Sequence, residues 1–326
     1  MIAITFHFLT AADFWIGVGI LAATYGIFAL GLQLNVGTTG ITNFGQAGFM
    51  AIGAYTMAIL VAKEGWSTWL AAPLAIVAAA AAGALLGLPS VRLRADYFAI
   101  VTIAFSEIVR YVATNQDSLT GGSQGTIALG KVGQAAQYNG QWEDFQARVQ
   151  SWLHVTSRDV AMLVIVWTVA VALLALVWLA LRTPWGRVLR AIREDEEAAA
   201  SVGKNVFAYK LQVLALGSAL AGVAGLLYAW QFSFFSPDDF QPLLTFFAWM
   251  IVILGGLGRI WAVPVGAAVF GFLFAGTRFL DFAPLSSLDS ADRAYLRLIV
   301  IGLVIIGLVV FRPQGILGRR DEMVLE

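Results

Sequence analysis

The sequence is a succession of apolar blocks, several of them as long as the roughly 20 residues a helix needs to cross a hydrocarbon core of about 30 Å. In lipid every backbone N–H and C=O must be paired within the protein, so only helices and closed barrels span. Barrel strands alternate polar and apolar positions over about ten residues, whereas these blocks are apolar on all faces. The expected fold is therefore all-α: a polytopic transmembrane helix bundle forming one domain over residues 1–326. Hydrophobic residues make up 60% of the chain and charged residues 12%, about half the charge of a soluble protein, which leaves almost no material for a water-soluble core.

Spans are expected at 14–34, 41–62, 68–88, 97–114, 159–182, 210–231, 244–258, 260–279 and 294–311, about nine in all, within a range of roughly 8–10. Gly255-Gly-Leu-Gly-Arg259 interrupts the stretch 244–279, which reads either as two spans or as a re-entrant pair. The N-terminus lacks the basic segment of a cleaved signal peptide, so the first block is expected to be retained.

Several classes of chemistry are excluded early. There is no cysteine, so no disulfide, thiol nucleophile or thiolate metal site. His7 and His154 are isolated, and no metal-ligand spacing surrounds them. A formal net charge of zero gives no reason to expect a nucleic-acid partner. No cluster of His, Asp, Glu or Ser falls at membrane depth, so catalytic residues are not expected. Gly125-Thr-Ile-Ala-Leu-Gly-Lys131 has the spacing of a phosphate-binding loop, but the Ser or Thr that would hold Mg²⁺ after the lysine is Val132.

Lysine and arginine placement sets the expected orientation. Arg182, Arg187, Arg190, Arg193, Lys204 and Lys210 lie in the 182–210 connector, Arg92 and Arg94 in the 89–96 turn, and Arg312, Arg319 and Arg320 in the tail. With nine spans all of these, and Arg259, share one side, which should be cytoplasmic, leaving the N-terminus outside and the C-terminus inside. Residues 115–158 then form an external loop, rich in glycine and holding Trp142 and Trp152, expected to be partly ordered and to lie on the surface. Three stripes of small residues suit close helix packing in lipid: Ala47-Ala51-Ala54-Ala58, Gly217-Ala221-Gly225 and Ala267-Gly271-Ala275.

Polar residues inside the apolar blocks are the candidates for function. Gly37-Thr-Thr-Gly-Ile-Thr-Asn-Phe-Gly-Gln46 sets Thr39, Thr42, Asn43 and Gln46 at the start of a helix. It reads either as an N-cap and turn at the membrane surface, or as a half-helix whose free N–H groups line a cavity and donate to a carboxylate. Glu107 and Arg110 lie inside the fourth span at i,i+3, on one helix face. Ionisable groups there usually face the protein interior and pair, so they either lock a helix contact or sit on a substrate path. The connector 185–203 reads as a charged, alanine-rich helix ended by Gly203.

Taken together, these segments resemble a known family. They are Leu34-Asn-Val-Gly-Thr-Thr-Gly with Phe44-Gly-Gln-Ala-Gly-Phe and Ile52-Gly-Ala-Tyr55; Tyr97-Phe-Ala-Ile-Val-Thr-Ile-Ala-Phe-Ser-Glu-Ile-Val-Arg110; Ser118-Leu-Thr-Gly-Gly-Ser-Gln-Gly125; and Gly186-Arg-Val-Leu-Arg-Ala-Ile-Arg-Glu-Asp-Glu196. Leu254-Gly-Gly-Leu-Gly258 and Phe311-Arg-Pro-Gln-Gly315 agree, and the order runs from about residue 30 to 318. The chain is similar to the larger permease subunit of branched-chain amino acid (LIV-type) ABC importers. Glu197-Ala198-Ala199, then Gly203 after three residues, resembles the loop by which importer permeases dock on their ATPase, with Arg190 on the same segment. One departure is Trp261-Ala-Val-Pro264, where the family usually has a Trp-Gly-Pro-type turn. The resemblance implies a second homologous permease, two ATP-binding subunits that bind ATP and Mg²⁺ in place of this chain, an external substrate-binding protein, and the bacterial inner membrane. The implied cargo is branched-chain or other neutral amino acids, with urea or short amides as the alternative. A stand-alone secondary transporter would need intramembrane carboxylates for ion coupling, and Glu107 is the one good candidate.

Overall fold

The computed structural model describes residues 12–129, 140–232, 234–276 and 314–318, with separate positions between 292 and 312. In chain order the helices are α1 (Ala12–Thr39), α2 (Gln46–Ala58, prolonged by a π-helical turn over Ile59–Lys63), α3 (Thr68–Ser90), α4 (Ala95–Asn115), α5 (Gly140–Leu153), α6 (Arg158–Arg182), α7 (Pro184–Glu194), α8 (Glu196–Ser201), α9 (Val206–Gln231), α10 (Pro242–Gly255) and α11 (Ala262–Gly276). Short helical turns lie at Asp117–Thr120, Gly122–Leu129 and Pro237–Phe240. No strand occurs among the described residues.

Among the described residues, six helices are long and apolar enough to cross a membrane: α1, α2 with its π-helical turn, α3, α4, α6 and α9. Helices α10 and α11 are apolar but hold only 14 and 15 residues, short of the roughly 20 a full span needs. Eight of the nine expected spans thus correspond, among the described residues, to six full-length helices and one short pair. The reason lies in Gly256 (φ 129°) and Gly258 (φ 85°), which place the backbone where a helix cannot continue. Pro264, displaced relative to the family pattern, falls in the first turn of α11, where its missing N–H costs no helical hydrogen bond. The ninth expected span, 294–311, lies largely outside the described residues, as do His7, Lys131, Val132, Arg319 and Arg320.

Helices α1, α2 and α9 form the centre. Ala47, Ala51, Ala54 and Ala58 on α2 are all buried, and α2 meets α9 where Gly53 abuts Gly222 and Ala54 abuts Gly225, while Gly217 lies against Asn35 of α1. At Gly225 an added Cβ would lie 2.1 Å from the Met50 carbonyl oxygen, so the two backbones touch and no larger residue fits. Without a hydrophobic drive between helices in lipid, such close van der Waals contact is what holds them. The third stripe packs α11 on α1, with Gly271 against Ala22 and Val18. Around this centre, α3, α4 and α6 expose large apolar side chains, among them Leu70, Val77 and Leu85, Ile100 and Ile108, Val171 and Leu176. A surface of that kind suits lipid or another helix rather than water.

The region 115–158 is built largely of short helices. Trp142 of α5 is buried and stacks on Trp230 of α9 with ring centroids 4.1 Å apart. Gln141 accepts from the Thr68 N–H at the start of α3 (2.9 Å). The glycine run resembling a phosphate loop makes a different contact: Thr126 N–H donates to the Phe235 carbonyl at 3.0 Å, and Gly125, at φ 61°, lies against Phe235 and Ser236.

Candidate functional site

Helix α1 ends in a backbone-bonded threonine pair. Thr38 and Thr39 hydroxyls donate to the Leu34 and Asn35 carbonyls, the latter at 2.7 Å. Gly40 at φ 72° then turns the chain, and α2 begins at Gln46. Asn43 and Gln46 are both 0% exposed, and their amides organise the turn. Asn43 Oδ1 accepts from Gly45 N–H at 2.8 Å, and Asn43 Nδ2 donates to Gln46 Oε1 at 2.9 Å. Gln46 Nε2 donates to the Gly217 carbonyl at 3.0 Å, which ties the turn to α9.

Several N–H groups of this turn already have partners. Asn43 N–H donates to Ile41 O, Phe44 N–H to Thr102 Oγ1 at 3.0 Å, and Ala47 N–H to Thr245 Oγ1 at 2.9 Å. Trp249 Nε1 donates to the Asn43 carbonyl at 3.2 Å. In this conformation the segment is a capped turn whose amides are sealed at the core rather than lying at the surface. Thr39 and Thr42 border a separate cleft of about 300 Å³ with Arg94, Arg193, Glu196 and Lys210. There Thr42 Oγ1 donates to Ala95 O at 3.0 Å.

Two buried polar side chains on helices flanking the turn were missed by sequence reasoning. Asn35 is 0% exposed and both its amide atoms lack a partner among the described residues; the Ser106 hydroxyl is likewise buried and unpaired. A buried amide without partners costs about 1–3 kcal/mol. The available signal was Asn35, close behind Gln33, at the end of an apolar block.

Glu107 and Arg110 pair as their spacing suggested, Arg110 Nη2 to Glu107 Oε2 at 2.8 Å. Arg110 also reaches Asp238 on the short Pro237–Phe240 turn at 3.1 Å and lies over the Tyr111 ring at 4.8 Å. The pair therefore pins α4 to the 237–240 turn. It is part-exposed, and the structure does not bring it together with Asn43 and Gln46.

The connector is two helices, not the single one expected. Asp195 leaves helical geometry at φ −154° and its Oδ1 caps α8 through Ala198 N–H at 2.9 Å. Gly203 (φ 79°) closes α8 with Gly203 N–H to Ala200 O at 2.9 Å and Lys204 N–H to Ala199 O at 3.2 Å, the Schellman pattern. Glu197, Ala198 and Gly203 are exposed. Ala199 beneath them packs into a small cluster with Ile192 and Val206. The Lys210–Glu196 ion pair fastens α8 to α9. Arg190 Nη1 donates to Leu181 O at 3.4 Å, and Arg193 Nη1 to Gly37 O at 2.7 Å. That last bond joins the connector to the end of α1, three residues before the turn at Gly40.

The basic segments gather at one end of the bundle. Arg182, Arg190, Arg193 and Arg259 line one cleft there, and Arg94 shares the neighbouring one with Arg193. Residues 315–317 fold against the α10 end, with Ile316 N–H to Leu254 O and Leu317 N–H to Gly255 O, both 2.9 Å.

Known proteins carry the same pattern. Residues 15–309 match the family described as branched-chain amino acid transport system / permease component. The high-affinity branched-chain amino acid transport system permease protein LivM of Salmonella typhimurium is 33% identical, over 97% of this chain and 73% of that protein. Its Escherichia coli counterpart is 35% identical, over 93% and 69%. The LivH permease of the Escherichia coli high-affinity system is also similar, 28% identical over 92% of this chain and 93% of its own. No solved structure matches. With a buried polar turn at its centre and a family match along nearly its whole length, this multi-pass membrane protein belongs to the branched-chain amino acid transport permease family.

Proposed function

We propose that this chain is the translocation subunit of an ATP-driven importer that carries branched-chain or other neutral amino acids inward. It pairs with a second, homologous permease, as its similarity to both LivM and LivH supports. Two separate subunits bind ATP and Mg²⁺, and an external binding protein delivers the cargo. The end bearing the arginine clefts faces the cytoplasm of a bacterial inner membrane, as the positive-inside rule requires, and the 115–158 region faces outward.

One observation carries the coupling mechanism: Arg193 on the connector is hydrogen-bonded to Gly37 at the end of α1, directly before the turn bearing Thr39, Thr42, Asn43 and Gln46. An ATPase pressing on the exposed Glu197-Ala198 and Gly203 surface moves α7 and α8 as a unit through Arg190 and the Ile192–Ala199–Val206 cluster. Arg193 passes that movement to α1. When α1, α2 and α9 part, the amides of Asn43 and Gln46 exchange internal partners for the cargo's ammonium and carboxylate, and the orphaned amide of Asn35 gains one. Glu107 and Arg110, near the 237–240 turn, stand at the outer mouth.

The test is reconstitution with the partner subunits. Substituting Glu197 and Gly203 should abolish substrate-stimulated ATP hydrolysis while the assembly still purifies; undiminished stimulation removes this loop from the mechanism. Ion-driven uptake by the lone chain in liposomes would overturn the importer reading altogether.

A further inference from the structure

A cleft of about 620 Å³ lies where the end of α6, the connector helix α7, the end of α1 and the α10–α11 break meet. Arg182, Arg190, Arg193 and Arg259 all line it, against a single carboxylate, Glu194. Part of this charge has a local structural use. Arg190 and Arg193 each donate to a carbonyl near a helix C-terminus, Leu181 of α6 and Gly37 of α1, where cations offset the helix dipole. Arg259 Nη1 donates to Leu317 O at 2.8 Å, and Arg182 stacks over Trp178 at 3.6 Å. Each of these contacts uses one N–H or one face of a guanidinium that carries five donors. Arg182, Arg190 and Arg193 have no carboxylate partner among the described residues. Set against Arg182, Arg190 and Arg193, two helix C-termini at about −0.5 each and Glu194 leave roughly one positive charge uncompensated in the cleft.

The rim indicates the ligand's source. Trp178 and Trp261 meet edge to face at 5.9 Å, and Trp261 is 55% exposed and Leu179 58% exposed. Tryptophans gather at the headgroup level of a bilayer, and exposed leucines on a spanning helix face acyl chains. A cleft basic inside and apolar at its rim fits a phosphate that enters with two acyl chains attached.

We propose that this cleft binds the phosphate of an anionic phospholipid headgroup. The guanidinium forks hold the phosphate oxygens, in the planar geometry that suits arginine over lysine. The acyl chains lie along α6 and α11. This inference requires only that the chain sits in a bilayer, and it stands or falls separately from the cargo and the ATPase partners.

The experiment uses the full chain, purified in mild detergent with whatever subunits accompany it. Native mass spectrometry counts bound phosphatidylglycerol against phosphatidylcholine, with and without competing inorganic phosphate. Wild type should retain phosphatidylglycerol selectively, and inorganic phosphate should displace it only weakly. The Arg182→Gln, Arg190→Gln double variant should weaken retention roughly 30-fold, at about a factor of five per basic residue near a membrane surface. Arg148→Gln, on α5 at the opposite end, should leave it unchanged, and this control separates site loss from misfolding. Three results overturn the proposal: equal retention of both lipids, displacement by inorganic phosphate as effective as by lipid, or a double variant that sheds an accompanying protein subunit while keeping its lipid.

Discussion

Two glycine-bearing breaks interrupt the apolar blocks, one at 40–45 and one at 256–261, and they have opposite fates. At the first, polar side chains fold inward. Asn43 and Gln46 are fully buried, and Thr102, Thr245 and Trp249 reach in from α4 and α10 to complete the hydrogen bonds. At the second, the chain turns outward. Gly258 and Arg259 open onto the arginine cleft, and the 315–317 segment supplies the N–H groups that pair with Leu254 and Gly255. Glycine content does not distinguish the two. What does is the chemistry of the flanking residues: short amides can satisfy one another in a dry core, while a guanidinium needs water or an anion. A broken helix in a membrane is thus either sealed or functional surface, according to which groups its neighbours can supply.

The sharpest way to break this contrast is to charge the sealed turn. Gln46→Glu would set a carboxylate against the Gly217 carbonyl with no cation near, a cost on the order of 3–5 kcal/mol. Thermal unfolding in detergent should show a large loss of stability or no recoverable protein; a variant as stable as wild type would mean the turn is wet. Asn43→Leu comes next. It removes the acceptor for Gly45 N–H and the donor to Gln46, leaving buried groups unpaired at about 1–3 kcal/mol, again read by thermal unfolding.

Arg193→Gln tests whether the sealed turn is driven from the connector. It severs a charge-assisted bond worth roughly 1.5–3 kcal/mol, so uptake in proteoliposomes should fall about tenfold or more, with ATP hydrolysis surviving without its dependence on substrate. Proportional loss of both activities would instead indicate damaged assembly. Gly203→Ala forces an alanine to φ 79°, at about 1–2 kcal/mol, and local protection from hydrogen exchange should drop in α8 alone. The smallest effect belongs to the open break: Arg259→Gln, part-exposed, should move the unfolding midpoint by the equivalent of roughly 0.5 kcal/mol or less. A large shift there would make the second break as structural as the first.

Much of the fold was legible from the sequence. Long apolar runs located α3, α4 and α6 to within two residues at each end and α1 and α9 to within five, and the small-residue stripes marked surfaces of close packing without naming their partners. The connector was harder, because a charged alanine-rich run is helical by propensity throughout. Only Asp195, which caps better than it propagates, divides it. The short α10–α11 pair was ambiguous for a similar reason, since a glycine turn reads alike between two spans and inside one.

By itself the sequence determined that this is an all-α membrane bundle, where its polar breaks fall, and which family it resembles. Each of these follows from local composition and residue order, because lipid leaves the backbone almost no alternative to a helix. Only the tertiary structure decided how the polar groups of each break are paired. Thr102, Thr245 and Gly217, which complete the bonds of Asn43 and Gln46, lie some 60 to 200 residues along the chain from them. So does Gly37, the partner of Arg193, at a separation of 156. Whether a polar group in a membrane is satisfied, orphaned or open to an anion depends on neighbours of that kind, and residue spacing does not encode them.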